Sequence, residues 1–134
     1  MAAPAVVLFD LDGTVSDSAP GICDALRHAF AEFGLPPLDA QTERGVLGPP
    51  FHESLPPLIG NAPLDGVIAA YRAHYTAGSM YKTAVYAGIP ELLDRLCARG
   101  VGLAIATSKP EYYAVPIAER LGVAGYFETI CGDE

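Results

Sequence analysis

An apolar segment close to the amino terminus leads directly into two aspartates that are separated by a single residue. The segment is residues 5–9, and Asp10 and Asp12 follow it with Leu11 between them. Because side chains alternate along an extended strand, the two carboxylates are expected to project together from the carboxyl end of the strand. Neighbouring carboxylates repel each other unless a cation lies nearby or one of them is protonated. The pattern therefore favours divalent-cation binding and nucleophile-plus-acid chemistry on a phosphate.

The longer string around these aspartates, FDLDGTVSDS (residues 9–18), resembles the first signature of the haloacid dehalogenase superfamily of aspartate-nucleophile phosphotransferases. A bare Asp-x-Asp is common in surface loops, but the full string at the end of a buried strand is much more specific. The alternative, in which Asp10 and Asp12 only end a strand and cap a helix, explains one acid but not two. The resemblance implies that both aspartates are catalytic and bind the metal, and that Gly13 and Thr14 contact the substrate phosphate.

Composition narrows the class of protein further. The chain has 134 residues, of which 51% are apolar, and this suits one domain or a small core with an insertion. Its net charge is −8 and no block of basic residues occurs, so we expect no nucleic-acid partner. No apolar stretch approaches the length of a membrane span, and no signal peptide is evident, so we expect a cytoplasmic protein without a membrane partner. The sequence does not indicate the oligomeric state.

The cysteine count points to the same compartment. Cys23, Cys97 and Cys131 are an odd number without paired spacing. They are therefore expected to be small buried apolar residues in a reducing compartment.

Three segments have the nearly continuous apolar character of strands in a parallel sheet that is covered on both faces, namely residues 5–9, 101–106 and 129–131. A helix pattern precedes the second strand and ends at Gly100, and another follows at residues 112–121 and ends at Gly122. The alternation of helix and strand predicts an α/β fold with a Rossmann-like parallel sheet, the fold that the resemblance also implies.

The segment between the first strand and the first of these crossover helices has a different pattern. Helices are predicted after Ser18, at residues 40–46, at 50–55 and at 64–77, and no strand pattern is visible. Residues 16–82 therefore resemble the α-helical cap that is inserted into many haloacid dehalogenase phosphatases. The predicted domains are a core, residues 1–15 and 83–134, and this helical cap.

A second polar cluster, Thr107-Ser108-Lys109, follows the predicted strand at residues 101–106. Ligands of open α/β sheets bind beyond the carboxyl ends of the strands, the edge at which Asp10 also lies. The string resembles the Thr-Asn-Lys-Pro variant of phosphoglycolate-phosphatase-like members, which implies that Thr107 binds the phosphate and that Ser108 and Lys109 support it. Two alternatives stay open: Thr107 satisfies a local turn, and Lys109 is a solvated lysine at a helix start.

The sequence ends in the string CGDE (residues 131–134). In similar proteins a Gly-Asp pair occurs at this point, just before the lysine that neutralises the phosphate, so these acids are not assigned to the metal site. The resemblance implies that the sequence stops before that lysine and before the final metal carboxylates. A fragment of a longer protein, which we favour, and a natural truncation with impaired metal binding both remain open. If the protein truly ends here, the sheet lacks its usual later strands, and a neighbouring polypeptide could cover the exposed edge.

The resemblance implies a Mg²⁺-dependent phosphatase, similar to phosphoglycolate phosphatase, that acts on a small phosphorylated metabolite. Asp10 would form an aspartyl-phosphate, and Asp12 would serve as general acid and then general base. A nucleoside-monophosphate phosphatase and a sugar phosphomutase are alternatives within the family. A binding or regulatory module that keeps the fold without turnover is the alternative from another class.

Overall fold

The computed structural model describes residues 6–133, so Ala5, the first residue of the first predicted strand, and Glu134 lie outside the described residues. The chain forms two compact units. The core unit comprises Met1–Ser18 and Thr83–Glu134, and the helical unit comprises Ala19–Lys82.

The strands are β1 (Val6–Phe9), β2 (Ser16–Asp17), β3 (Ala84–Val85), β4 (Gly102–Pro110) and β5 (Thr129–Asp133). The α-helices are α1 (Ala19–Glu32), α2 (Ala40–Val46), α3 (Phe51–Ser54), α4 (Pro56–Ile59), α5 (Leu64–Ala77), α6 (Ile89–Ala98) and α7 (Glu111–Arg120). Two 3₁₀ helices span Ser79–Tyr81 and Ala124–Tyr126. Among these described helices, none combines the length and the apolar character that a bilayer crossing needs.

A three-stranded parallel sheet forms the centre of the core unit, in the order β1-β4-β5. Phe9 pairs with Ile105, and Ile105 pairs with Ile130 on the other side. Helix α6 leads into β4, and α7 connects β4 to β5, so the sheet is built from the α/β crossovers that the sequence predicts. The predicted α/β fold class is confirmed.

Coverage of the sheet differs from the prediction. Leu103 and Ile105 in the middle of β4 are almost fully buried, as expected for a central strand. Val6 and Leu8 of β1, however, are 47% and 68% exposed, and β5 also has exposed residues at every second position. The prediction that all three strands are covered on both faces is therefore wrong for β1 and β5. These are the edge strands of this sheet, and their apolar sequence does not distinguish a covered face from an open one.

A second sheet, which the sequence did not predict, consists of the two short antiparallel strands β2 and β3. Ser16 and Asp17 stand at the start of the predicted helical insertion, yet they pair with Val85 and Ala84. The Thr83 hydroxyl donates to the carbonyl oxygen of Asp17 at 3.0 Å and extends the contact. Two residues are too few to show the alternating pattern that marks a strand.

The helical unit is built on its two 14-residue helices, α1 and α5. Leu26 and Phe30 of α1 and Val67 of α5 are buried, and they give the unit an apolar core of its own. Helices α2 and α5 have the predicted bounds, and α3 is a shortened form of the predicted helix at residues 50–55. Helix α4 was not predicted, because it starts with two prolines that break the apolar period.

The three cysteines form no disulfide within residues 6–133, and they differ in exposure. Cys23 is buried in α1, as predicted. Cys97 and Cys131 are exposed, so the prediction is wrong for these two. Cys131 lies at one of the exposed positions of edge strand β5, which explains why an apolar residue there is not covered.

Candidate active site

The loop after β1 is organised around a buried leucine. The side chain of Leu11 has no exposed surface, and its carbonyl oxygen accepts the N–H groups of Thr14, Val15 and Ser16 at 3.3, 3.0 and 3.1 Å. Asp10 is exposed, and its Oδ1 accepts the N–H of Leu11 at 2.7 Å. The buried leucine therefore fixes the backbone between the two aspartates, which lie in a turn after β1 and not on the strand.

The predicted phosphate contacts Gly13 and Thr14 lie at the exposed tip of this loop. Gly13 has a φ of +79°, and no atom lies within 4 Å of the position that a Cβ atom would occupy. The N–H of Gly13 donates to Ser16 at 2.9 Å and that of Thr14 donates to Leu11, so both groups serve the turn in this structure. What the pair offers to a ligand is an open backbone surface at Gly13 and the hydroxyl of Thr14.

The second polar cluster lies in an irregular part of β4, not after its end. Strand β4 pairs with β5 at Ala106↔Cys131 and again at Pro110↔Asp133, with a shift of register between the two pairs. Between these two pairs β4 advances by four residues while β5 advances by two, so residues 107–109 form a bulge. Bulges re-aim side chains and are frequent next to active sites. The prediction ended the strand at residue 106, because a bulge carries no apolar pattern.

Thr107 makes the local hydrogen bond that is expected if its hydroxyl satisfies a turn. Its Oγ1 accepts the N–H of Lys109 at 3.1 Å. A hydroxyl that accepts one hydrogen bond can still donate its own proton, so this turn is compatible with a ligand contact. Ser108 is exposed beside it and offers a second hydroxyl.

Lys109 connects the two motifs. Its Nζ lies 3.1 Å from Oδ2 of Asp12, and only 8% of the lysine side chain is exposed, against 29% of the Asp12 side chain. Burial lowers the pKa of Lys109, while the nearby Asp12 carboxylate acts in the opposite direction. The alternative of a solvated lysine at a helix start is therefore wrong. The ion pair was not predicted, because no local pattern relates two residues so far apart in the sequence.

The other oxygen of Asp12 is in an unusual position. Oδ1 is buried and has no hydrogen-bond partner among the described residues. A buried carboxylate oxygen without a partner is costly, so such atoms in native proteins usually mark a missing ligand, ion or water. This oxygen is an acceptor site that the protein itself does not fill.

Gly132 supports the bulge from β5. A Cβ atom on this residue would lie 2.5 Å from the carbonyl oxygen of Lys109 and 2.5 Å from the backbone nitrogen of Glu111. Only a residue without a side chain therefore allows the backbone of 109–111 to approach β5. This role was not predicted, although a glycine inside an apolar strand is the sequence signal for such a close approach of two backbones.

The predicted metal ligands, Asp10 and Asp12, can be tested against this geometry. Residues 6–133 contain no group of three or more histidine, cysteine or acidic side chains that could hold a metal ion. Mg²⁺, however, usually keeps several waters and binds through one or two carboxylates together with substrate phosphates. The exposed Asp10 carboxylate fits such an open site as a ligand, and the unfilled Asp12 Oδ1 is an acceptor for a ligand or water rather than a second metal ligand. They do not form an all-protein cage.

Comparison with known proteins identifies the family. Residues 7–134 match the family of haloacid dehalogenase-like hydrolases. The chain therefore belongs to the haloacid dehalogenase-like hydrolases, and the resemblance predicted from the sequence is confirmed.

Two curated relatives have different named activities. The chain is 40% identical over 129 residues to the tyrosine-protein kinase PtkA of Mycobacterium tuberculosis, a match that covers 96% of this chain and 44% of the relative. It is 36% identical over 140 residues to a phosphoglycolate phosphatase of Agrobacterium fabrum, covering 96% of this chain and 58% of the relative.

Solved structures show the same fold. A haloacid dehalogenase-like family hydrolase from Streptococcus pneumoniae superposes with a TM-score of 0.94 at 33% identity, covering 100% of this chain and 63% of that protein. The chain thus spans 44% to 63% of the length of the proteins it matches here.

Proposed function

We propose that this chain carries the catalytic nucleophile and acid of a phosphatase that hydrolyses small phosphorylated metabolites. The observation that supports this most directly is the ion pair between Lys109 and Asp12, which joins the loop after β1 to the bulge in β4. The loop follows β1, and the bulge lies in the carboxyl-terminal half of the neighbouring parallel strand β4, near the edge at which ligands of open α/β sheets bind. The phosphoglycolate phosphatase among the relatives supports the choice of substrate class.

The proposed reaction has two steps at phosphorus. A carboxylate oxygen of Asp10 attacks phosphorus, the bond to the ester oxygen breaks, and Asp12 donates its proton to that leaving oxygen. Asp12 then takes a proton from a water molecule whose oxygen attacks phosphorus, and the bond from phosphorus to Asp10 breaks. The products are inorganic phosphate and an alcohol, and both carboxyl groups return to their starting states.

The remaining predicted residues have supporting roles in this proposal. The hydroxyl groups of Thr107, Ser108 and Thr14 donate to the phosphate oxygens, and Gly13 leaves room for their approach. Lys109 adds positive charge next to Asp12. When bound, Mg²⁺ would neutralise charge on the phosphate, and the Asp10 carboxylate and the Asp12 backbone carbonyl would hold it. Hydroxyl groups and charge of this kind stabilise the transferring phosphoryl group without covalent chemistry.

The cellular location is also part of the proposal. Two exposed free thiols favour a reducing compartment, so we propose a cytoplasmic location.

A second candidate function rests on the relative that is named as a tyrosine-protein kinase. In that case the phosphoryl group would pass from a nucleotide to a tyrosine hydroxyl instead of from an ester to water.

A turnover assay tests the proposal. Release of phosphate is measured from p-nitrophenyl phosphate, 2-phosphoglycolate and nucleoside 5′-monophosphates, with Mg²⁺ and with EDTA. We expect release that requires Mg²⁺ and that is abolished in Asp10→Asn. Phosphate binding without release by any substrate would instead identify a binding module. Transfer of phosphate from ATP to a tyrosine peptide, without ester hydrolysis, would support the second candidate.

A further inference from the structure

The Lys109 side chain is held in a place that a lysine does not normally occupy. Lysines are rarely buried unless they are paired, because removing an ammonium group from water is costly. Here 8% of the side chain is exposed, and the ammonium lies 3.1 Å from Oδ2 of Asp12. The backbone brings it there: the bulge at residues 107–109 turns it inward, the N–H of Lys109 is held by Thr107, and Gly132 lets the strand approach.

The consequence for Asp12 is an unequal pair of oxygens. Oδ2 is held by the lysine, while Oδ1 is buried without a partner among residues 6–133. When one oxygen of a carboxyl group is held, the orientation of the whole group is fixed. General acid catalysis depends on such geometry, since the acid must lie within hydrogen-bond reach of the atom that it protonates.

We propose that Lys109 is a positioning residue for Asp12: it holds Oδ2 and so fixes the orientation of the carboxyl group that exchanges a proton with the substrate. This inference rests on the proposed phosphatase function and assigns the lysine a role that differs from direct binding of the substrate phosphate. In the first step the Asp12 carboxyl group delivers the proton to the ester oxygen as the bond to phosphorus breaks. In the second step the same group receives the proton of the attacking water. The lysine itself exchanges no proton with substrate.

The choice of leaving group distinguishes a lysine that positions Asp12 from a lysine that binds the substrate phosphate. p-Nitrophenolate departs without a proton, whereas the alkoxide of an alkyl ester such as 2-phosphoglycolate needs one. In Lys109→Met we expect the rate of the first step on 2-phosphoglycolate, measured as alcohol release in a single turnover, to fall about 10- to 100-fold, part of the 10²–10⁴-fold that general acid–base help supplies. For p-nitrophenyl phosphate we expect the rate of the p-nitrophenol burst, which reports the same step, to change by less than about threefold, because the acid contributes little there. Steady-state turnover of both esters should fall, because the second step uses Asp12 as general base in either case. The dissociation constant of each substrate should stay close to the wild-type value.

Three further variants control the experiment. Lys82→Met removes a lysine of the helical unit that pairs with Asp24, and it should leave the ratio of the two rates at the wild-type value. Lys109→Arg keeps the charge and should restore part of the lost rate on the alkyl ester. Asp12→Asn should show the same selective loss in the first step, and combining it with Lys109→Met should add little, because both act through one group.

Each other result contradicts the inference in a recognisable way. Equal losses of the first-step rate on the two substrates, or weaker substrate binding, in Lys109→Met would assign the lysine to the phosphate. Failure of both Lys109→Met and Lys109→Arg to fold, judged by circular dichroism, would assign it to folding. Wild-type protein that hydrolyses neither ester would overturn the proposed function itself, and the inference with it.

Discussion

The carbonyl oxygen of Lys109 lies 2.5 Å from the position that a Cβ atom would occupy on Gly132. The backbone nitrogen of Glu111 is equally close, so the obstruction on both sides is main chain and not a flexible side chain. This approach lets β4 turn through its bulge while it still pairs with β5. The position of Lys109, and through it that of Asp12, therefore depends on a glycine of the neighbouring strand.

Gly132→Ala should destabilise the protein by about 1–3 kcal/mol, the usual cost of forcing an extra methyl group into a packed site. The free energy of unfolding is measured by urea denaturation. Gly125→Ala is the matched control, because no atom lies within 4 Å of its Cβ position, and it should change stability by about 0.5 kcal/mol or less. Equal stability of the two variants would show that the strand relaxes without cost.

Gly21→Ala tests the corresponding approach in the helical unit. A Cβ atom at this position of α1 would collide with the carbonyl oxygen of Ser79. We expect a loss of about 1–3 kcal/mol in the free energy of unfolding. In Gly45→Ala the same change falls on an open face of α2, where alanine should stabilise the helix by about 0.5–1 kcal/mol. Stabilisation of both variants would contradict the close packing of α1 on residue 79.

The elements that local patterns describe agree with the sequence predictions, and the long-range features do not. The bounds of α2 and α5 have the predicted values, whereas Asp10 and Asp12 lie in the turn after β1 and not on the strand itself. The pairing of Lys109 with Asp12 depends on a bulge, and no periodic pattern encodes a bulge. The exposure of Leu8 depends on whether another element covers that face of the sheet, and an apolar sequence does not distinguish a covered face from an uncovered one.

Asp24 is the centre of a polar cluster within the helical unit. Its Oδ2 accepts hydrogen bonds from Ser79 at 2.7 Å and Lys82 at 3.0 Å, and it lies 3.0 Å from Nε2 of His74. The ring of His28 stacks on His74 with the ring centres 4.1 Å apart. The hydrogen bonds from Ser79, then Lys82 and His74, hold the pKa of Asp24 well below its usual range.

The free energy of unfolding should therefore decrease at acid pH, because Asp24 becomes protonated there. A carboxyl group whose pKa is lower in the folded protein stabilises it at pH values above the unfolded pKa of about 3.9. That contribution is lost progressively as the pH falls below this value towards the folded pKa. Asp24→Asn should reduce stability at pH 7 and flatten the dependence on pH below about 4, as measured by urea denaturation across that range. Asp65→Asn, at an exposed position of α5, should keep the acid dependence of the wild type.

Asp12→Ala separates the two steps of the proposed reaction. Asp10 can still accept a phosphoryl group from p-nitrophenyl phosphate, whose leaving group needs no proton, but water then lacks its general base. We expect steady-state turnover to fall about 10²–10⁴-fold, with a burst of p-nitrophenol close to one equivalent per protein. Mass spectrometry should find the added phosphate on the peptide that contains Asp10. Asp17→Asn, which changes the third acid of the same loop, should turn over at nearly the wild-type rate and accumulate no phosphoprotein. Wild-type turnover by Asp12→Ala would remove Asp12 from both proton transfers.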